Sequence, residues 1–219
     1  MFEQFDYGAI LRSIPLLWSG MQLTLLLTLL AMAGGLILGI LLALLRISKH
    51  RLLAAIAGAY VNLFRATPLI LVIFWFYFLV PVVLGRPVGP FYSVLIAFTL
   101  FEAAYYCEIV RAGIQSVRKG QVDAGFAIGL TYAQTMRYVV LPQALRNMMP
   151  VLLTQAIILF QDTSLVYVVA LRDFLTTADM IAVRDNRIVE LYLFAALVYF
   201  VLSFAGSLGV RRLQRRYAL

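Results

Sequence analysis

An all-α membrane bundle of about five transmembrane helices is the fold this sequence predicts, on three observations. Of its 219 residues, 63% are hydrophobic and only 13% are charged, against roughly 45–50% and about 25% in a soluble domain. The apolar residues come in runs long enough to cross a bilayer, for which about 20 are needed. The Lys and Arg residues concentrate in every second connection between those runs, as a multi-pass chain requires. Backbone groups in lipid must be satisfied internally, and the alternating pattern of a membrane barrel is absent, so the runs are read as helices. Mean hydropathy of +0.95 agrees.

The first span is Trp18 to Leu45, with Ser19, Gln22 and Thr24 at its entrance. It is longer than needed, which implies tilt or an interfacial extension. Ahead of it, Tyr7 to Leu17 reads as a short amphipathic segment along the outer surface. Glu3 and Asp6 stand where a signal peptide needs positive charge, so a cleavable leader is not expected. The second apolar stretch, Leu52 to Leu84, is too long for one straight helix. Pro68 removes a backbone donor and breaks or kinks it at Arg65-Ala66-Thr67-Pro68, with the spanning part near Ala57 to Val83. The remaining spans are Phe91 to Val110, Met149 to Leu171 and Ile188 to Val210. With the N-terminus outside, twelve of the 18 Lys and Arg residues lie in cytoplasmic segments, five lie outside and Arg65 falls within a span. The reverse orientation breaks the positive-inside bias.

That distribution assigns the net charge of +8 to topology rather than to nucleic acid. The tail Arg211-Arg212-Leu213-Gln214-Arg215-Arg216 reads as an anchor against anionic lipid. The single Cys107 excludes a disulfide framework or thiolate zinc site, and the lone His50 has no second histidine with which to hold a metal. No phosphate-cradling G-x-x-x-x-G-K-[ST] is present, so ATP hydrolysis of the P-loop kind is not expected of this chain. The whole of 1–219 reads as one transmembrane domain.

The longest cytoplasmic connection, Arg111 to Arg146, carries the most information. Gln121 to Gly129 and Tyr132 to Val140 read as two short helices. Gly129 turns the chain between them, and Leu141-Pro142 closes the segment. Periodicity alone leaves a docking surface and a plain connector equally open.

Here the residues resemble the "EAA" loop of the membrane subunits of bacterial ABC importers: E-A-A, three residues, G, nine residues, I-x-L-P. The literal Glu102-Ala103-Ala104 is a decoy inside the third span, because its register puts Glu108 at the glycine slot. Starting at Asp123 gives Asp123-Ala124-Gly125, then Gly129, then Val139-Val140-Leu141-Pro142. The departures are Asp for Glu, Gly for the second Ala and Val for Ile. The change at Gly125 is expected to soften the first helix slightly. Phe64-Arg65-Ala66-Thr67-Pro68-Leu69, Glu102 through Ser116, Gly120-Gln121 and Phe160 through Val168 are similar to the polar amino-acid branch of that family, nearest its glutamate/aspartate permeases.

The resemblance implies a type I ABC importer transmembrane fold in the bacterial inner membrane, N-terminus periplasmic and C-terminus cytoplasmic. It implies an ATPase dimer that binds ATP and Mg, a second permease subunit alike or identical, a periplasmic solute-binding protein and a polar amino-acid substrate. The chain itself would be no enzyme and would carry no cofactor. Coupling to the ATPase would fall on Asp123, Ala124, Gly125, Gly129, Val139, Leu141 and Pro142.

An ionisable group within a span costs about 2.5–3.5 kcal/mol on insertion scales and needs a partner or a role. Asp162 is expected near the middle of the fourth span, and Arg65 beside the helix break. They form either an Asp162–Arg65 ion pair or an amino-acid site. In the second reading Asp162 takes the α-ammonium, with Ser164 beside it, and the break at Thr67, Pro68 and Leu69 offers N–H groups to a carboxylate. Glu108 and Arg111 are three apart and read as a structural pair; Glu102 has no evident partner. Ala31, Gly35 and Gly39 form a small-residue packing stripe. A stand-alone transporter or channel stays open as an alternative, as do glutamine, arginine or histidine as substrate. No convincing internal repeat supports the former. A membrane enzyme lacks a nucleophile–base pair or ligand cluster beside its carboxylates.

Overall fold

The computed structural model describes residues 6–217; Glu3 and the side chain of Arg216 lie outside the described residues. The described chain is built from ten α-helices joined by irregular helical turns. Four helical stretches are long and apolar enough to cross a membrane, or five if one bent pair counts as a span.

Helix α1 runs without interruption over Tyr7–Ile47, about 60 Å at 1.5 Å per residue. The separate surface segment at Tyr7 to Leu17 is therefore not observed. Asp6 starts the helix by accepting the N–H of Ala9 at 3.1 Å, and Pro15 is carried inside it. Leu17 and Met21 seat this end against Phe174, Leu191 and Ala195.

The second stretch is a sharply bent pair of helices, broken where the sequence predicts. Helix α2 (Arg51–Ala66) ends at Thr67-Pro68, and the chain turns by 106° into α3 (Leu69–Phe74). A π-helical turn at Trp75–Leu79 leads to α4 (Val80–Leu84), where the N–H of Val80 bonds the carbonyl of Trp75. That wide turn stands directly before Pro81 and makes room for a ring that would collide with a regular helix.

Helix α5 (Pro90–Gln115) is the spine of the larger core, which gathers Leu27, Val61, Val72, Phe98, Ala104 and Leu159 around it. The predicted stripe on α1 packs there. A Cβ at Gly35 would lie 2.9 Å from Cβ of Glu102, and one at Gly39 would lie 2.7 Å from Cβ of Tyr106. We expect Gly39→Leu to force α1 off α5 and to lower stability by at least about 1–3 kcal/mol, the usual range for overpacking. Gly58→Leu, where an added Cβ meets nothing within 4 Å, is the control. Thermal unfolding of the detergent-solubilised chain checks this, and equal shifts for the two variants contradict it.

After α5 come α6 (Lys119–Ala127) and α7 (Tyr132–Thr135), then a second π turn at Met136–Val140 and α8 (Leu141–Asp162). The expected stop at Leu141-Pro142 does not occur. The N–H of Leu141 reaches back to the carbonyl of Met136, five residues earlier, and this wider turn lets the helix run on past the ring of Pro142. Elbow and span are thus one continuous rod. Beyond Asp162 a 3₁₀ stretch, Thr163–Val169, ends at Ala170 with φ 53°.

The stretch 172–187, expected as an outside connection, contains α9 (Phe174–Arg184). Its N-cap is the fully buried Asp173, which accepts the N–H groups of Leu175 and Thr176 at 3.2 and 2.8 Å. Burial lifts this carboxyl above its ordinary pKa, against the pull of those donors. Helix α10 (Ile188–Tyr217) closes the bundle against α8 and α9.

Candidate functional site

Two constellations carry chemistry: the elbow formed by α6 and α7, and the polar groups along α2, α5 and the end of α8.

The elbow is held by its own backbone. Gly129 lies at φ 82°, the left-handed region that favours glycine. Its N–H bonds the carbonyl of Phe126 at 3.0 Å, and the N–H of Leu130 bonds that of Gly125 at 3.1 Å. This paired closure of α6 is the Schellman arrangement. Thr131 then caps α7 reciprocally: its Oγ1 accepts the N–H of Gln134 at 3.3 Å, and its own N–H donates to Oε1 of Gln134 at 2.8 Å.

Gly125 is buried against Thr135, where an added Cβ would lie 2.8 Å from Cγ2. The glycine stands inside α6, which runs on through it. It lets α6 approach the rod at the point where Thr135 supplies the methyl group. Gly125→Ala alone should therefore destabilise the elbow, and Thr135→Ser in the same chain should recover most of the loss. Double-mutant thermal unfolding reads this coupling, and strictly additive effects would contradict it.

Val117, Val140 and Ala144 form a small core under the elbow, with Ile114, Val122 and Met136 around it. Asn147 Nδ2 donates to Ser116 Oγ at 2.8 Å, and Gln143 Nε2 donates to Gln121 Oε1 at 3.3 Å. The elbow is pinned to α8 on its inner side. Its outer side leaves Phe126, Ile128, Tyr132 and Tyr138 exposed, Ile128 by 77%, with Asp123, Ala124 and Arg137 among them. Exposed apolar groups rimmed by charge mark protein contact surfaces. Val139 is half-buried, while Leu141 and Pro142 are exposed.

In the second constellation Arg65 and Asp162 do not pair. Arg65, in the last turn of α2, lies 3.8 Å from Glu108 Oε2 and 5.5 Å from the ring centre of Tyr105. Glu108 also holds Arg111 at 2.7 Å, as the spacing predicted, and Arg46 of α1. One carboxylate thus gathers three guanidinium groups from α1, α2 and α5. Sequence reasoning gave Arg46 only a topological role; its place in the last turn of a helix, 62 residues from Glu108, gave no sign of the contact. Arg65, Glu108, Ser116 and Asn147 border a cavity of about 380 Å³.

At the break, the N–H of Thr67 bonds Phe64 and its Oγ1 donates to the carbonyl of Leu63 at 2.8 Å. Pro68 has no N–H, so of the three residues only Leu69 keeps a donor unclaimed by the helix, at the first turn of α3. Asp162 is the last residue of α8, at the junction with the 3₁₀ stretch rather than inside a regular span. It is half-buried, and among the described residues its carboxylate makes no hydrogen bond or ion pair. Ser164 is half-buried two residues beyond. The missing partner of Glu102 is Gln155, whose Nε2 donates to both carboxylate oxygens at 3.2 and 3.1 Å in a fully buried contact. No group of metal-ligating side chains occurs among the described residues.

Comparisons with known proteins converge. The family described as binding-protein-dependent transport system inner membrane component matches residues 35–219. The glutamate/aspartate import permease protein GltK of Escherichia coli O6:H1 is 48% identical over 225 residues, covering 100% of both chains. The arginine transport system permease protein ArtQ of Bacillus subtilis is 35% identical, over 95% of this chain and 97% of that one. Among solved structures, a chain from the crystal structure of an amino acid ABC transporter with histidines superposes with a TM-score of 0.91 at 33% identity, covering 96% and 98% of the two chains. A chain of the MetNI methionine ABC transporter in an inward-facing conformation shares the fold, with a TM-score of 0.71 at 23% identity over 92% and 98%.

Proposed function

Because the chain belongs to the family of binding-protein-dependent transport system inner membrane components, we propose that it is the membrane-spanning permease of an ATP-driven amino-acid importer carrying glutamate and aspartate. The full-length 48% identity to a glutamate/aspartate permease supports that substrate over glutamine or arginine, whose permeases are 34–38% identical. As a permease subunit the chain is not an enzyme. ATP and Mg belong to an ATPase dimer, which grips one elbow on each of two membrane subunits. A periplasmic binding protein delivers the substrate. The charge bias supports an N-terminus outside and a C-terminus inside, with 1–219 acting as one domain.

The observation that carries the mechanism is the continuity of the helical rod from Tyr132 to Val169. A displacement imposed on the elbow by closure of the ATPase dimer is carried through the second π turn along α8 to Asp162, with no loose joint between. The bundle then switches as a rigid body between two arrangements. ATP drives the switch only by binding one arrangement better than the other.

In this reading Asp162, which has no hydrogen-bond or ion-pair partner among the described residues, receives the α-ammonium of the substrate, with Ser164 beside it. Arg65, held only at 3.8 Å by Glu108, takes a carboxylate, and the turn of Thr67, Pro68 and Leu69 presents the Leu69 N–H. Asp123, Ala124, Gly125, Gly129, Val139, Leu141 and Pro142 belong to the elbow that meets the ATPase. Radiolabelled glutamate uptake into proteoliposomes holding the complete complex tests the assignment. Uptake should require ATP and the binding protein and should be competed by aspartate but not by arginine. Uptake competed equally by arginine would overturn the substrate assignment.

A further inference from the structure

Helices α8 and α10 run antiparallel: Phe160 stacks against Tyr199 at 5.3 Å between ring centres, while a Cβ at Gly206 would lie 3.1 Å from Ile157. Beside this contact lies a groove of about 550 Å³, lined by Leu29 of α1, by Leu153 and Phe160, and by Gly206 and Gly209. Gly209 leaves its floor open, since an added Cβ there meets nothing within 4 Å.

The Gly206–Ile157 contact also sets the height of the charges below. Arg146 is eleven residues from Ile157 along α8 and Arg212 six residues from Gly206 along α10, about 16 and 9 Å toward the same end of the bundle. Arg146 shares the face of Leu153, seven residues on. Both arginines are exposed. Neither makes an ion pair or a hydrogen bond among the described residues; other exposed arginines, such as Arg118 and Arg211, share that state, so it is their place below the groove that singles these two out.

We propose that this groove binds an anionic phospholipid, with an acyl chain along Leu153 and Gly209 and the phosphate between Arg146 and Arg212. An apolar slot with two guanidinium groups farther along the same two helices, toward one end of the bundle, asks for a molecule with a hydrocarbon tail and a phosphate at one end. Guanidinium forks match phosphate oxygens in pairs. A transmembrane helix of a second subunit fills the slot but brings a counter-charge only if it places a carboxylate at that depth. The site is separate from the elbow and from Asp162, so it stands or falls independently of the substrate assignment.

Native mass spectrometry of the purified complex, equilibrated with equal phosphatidylglycerol and phosphatidylcholine, counts the lipids retained. The intact chain should favour phosphatidylglycerol by about thirtyfold, the ratio that two basic residues at roughly 1 kcal/mol each near an anionic surface give. R146Q/R212Q should erase the preference. Gly209→Phe should lower retention of both lipids, because its side chain grows from an open Cβ position into the groove. Equal retention of the two lipids by the intact chain would overturn the proposal. So would an unchanged preference in the double variant, or efficient cross-linking of Gly209→Cys to a neighbouring permease subunit.

Discussion

Gly129→Trp lowers ATP-driven amino-acid uptake by at least about tenfold while the chain inserts at normal levels. The argument starts from the backbone. At φ 82° an L-residue meets its own carbonyl, a cost of about 1–2 kcal/mol. Apart from its chain neighbours, no atom of the described residues lies within 4 Å of a Cβ at that position, so a side chain there starts out into open space. What the indole meets is whatever sits against the exposed face of Phe126, Ile128 and Tyr132. A graded series separates the two contributions. Asn tolerates the left-handed region and is small, so it should keep most activity. Ala pays the backbone strain alone and should fall between. Trp adds the steric conflict with the ATPase and should be worst. Normal uptake by the Trp variant would remove the elbow from the mechanism.

Asp162→Asn abolishes uptake while surface expression persists. Placing a carboxylate within the membrane costs about 2.5–3.5 kcal/mol on insertion scales. Among the described residues nothing offsets that cost by hydrogen bond or ion pair. The neutral amide keeps the shape and inserts more readily, so a purely structural Asp162 predicts unchanged or higher expression with intact transport. A substrate-binding Asp162 predicts intact expression with transport lost, because an amide does not replace the charge facing an ammonium. Glu102 provides the contrast. Its carboxylate is fully buried and bound by Gln155, so Glu102→Gln should retain substantial uptake.

The elbow was the most legible part of the sequence, and for a local reason. Its glycine, cap and short helices are set by residues within a few positions of one another, so Asp123 through Pro142 could be aligned without a structure. The break at Thr67-Pro68 was legible on the same ground. What the sequence hid was long-range or depended on backbone adjustment. Pro142 reads as a stop, yet a π turn one residue ahead carries the helix through it. Helix α9 is only eleven residues long, rich in threonine, and held by a buried cap rather than by a long apolar face. The gathering of Arg46, Arg65 and Arg111 on Glu108 joins three helices. The substitution of Gly125 for alanine made sense only beside Thr135, ten residues on.

The measurement that bears most directly on the central claim is glutamate uptake, with the binding protein present, by proteoliposomes holding the permease subunits assembled with and without their ATPase. The account predicts ATP-dependent uptake in the first case and none in the second, even under an imposed proton or sodium gradient. Gradient-driven accumulation by the permease alone would contradict it.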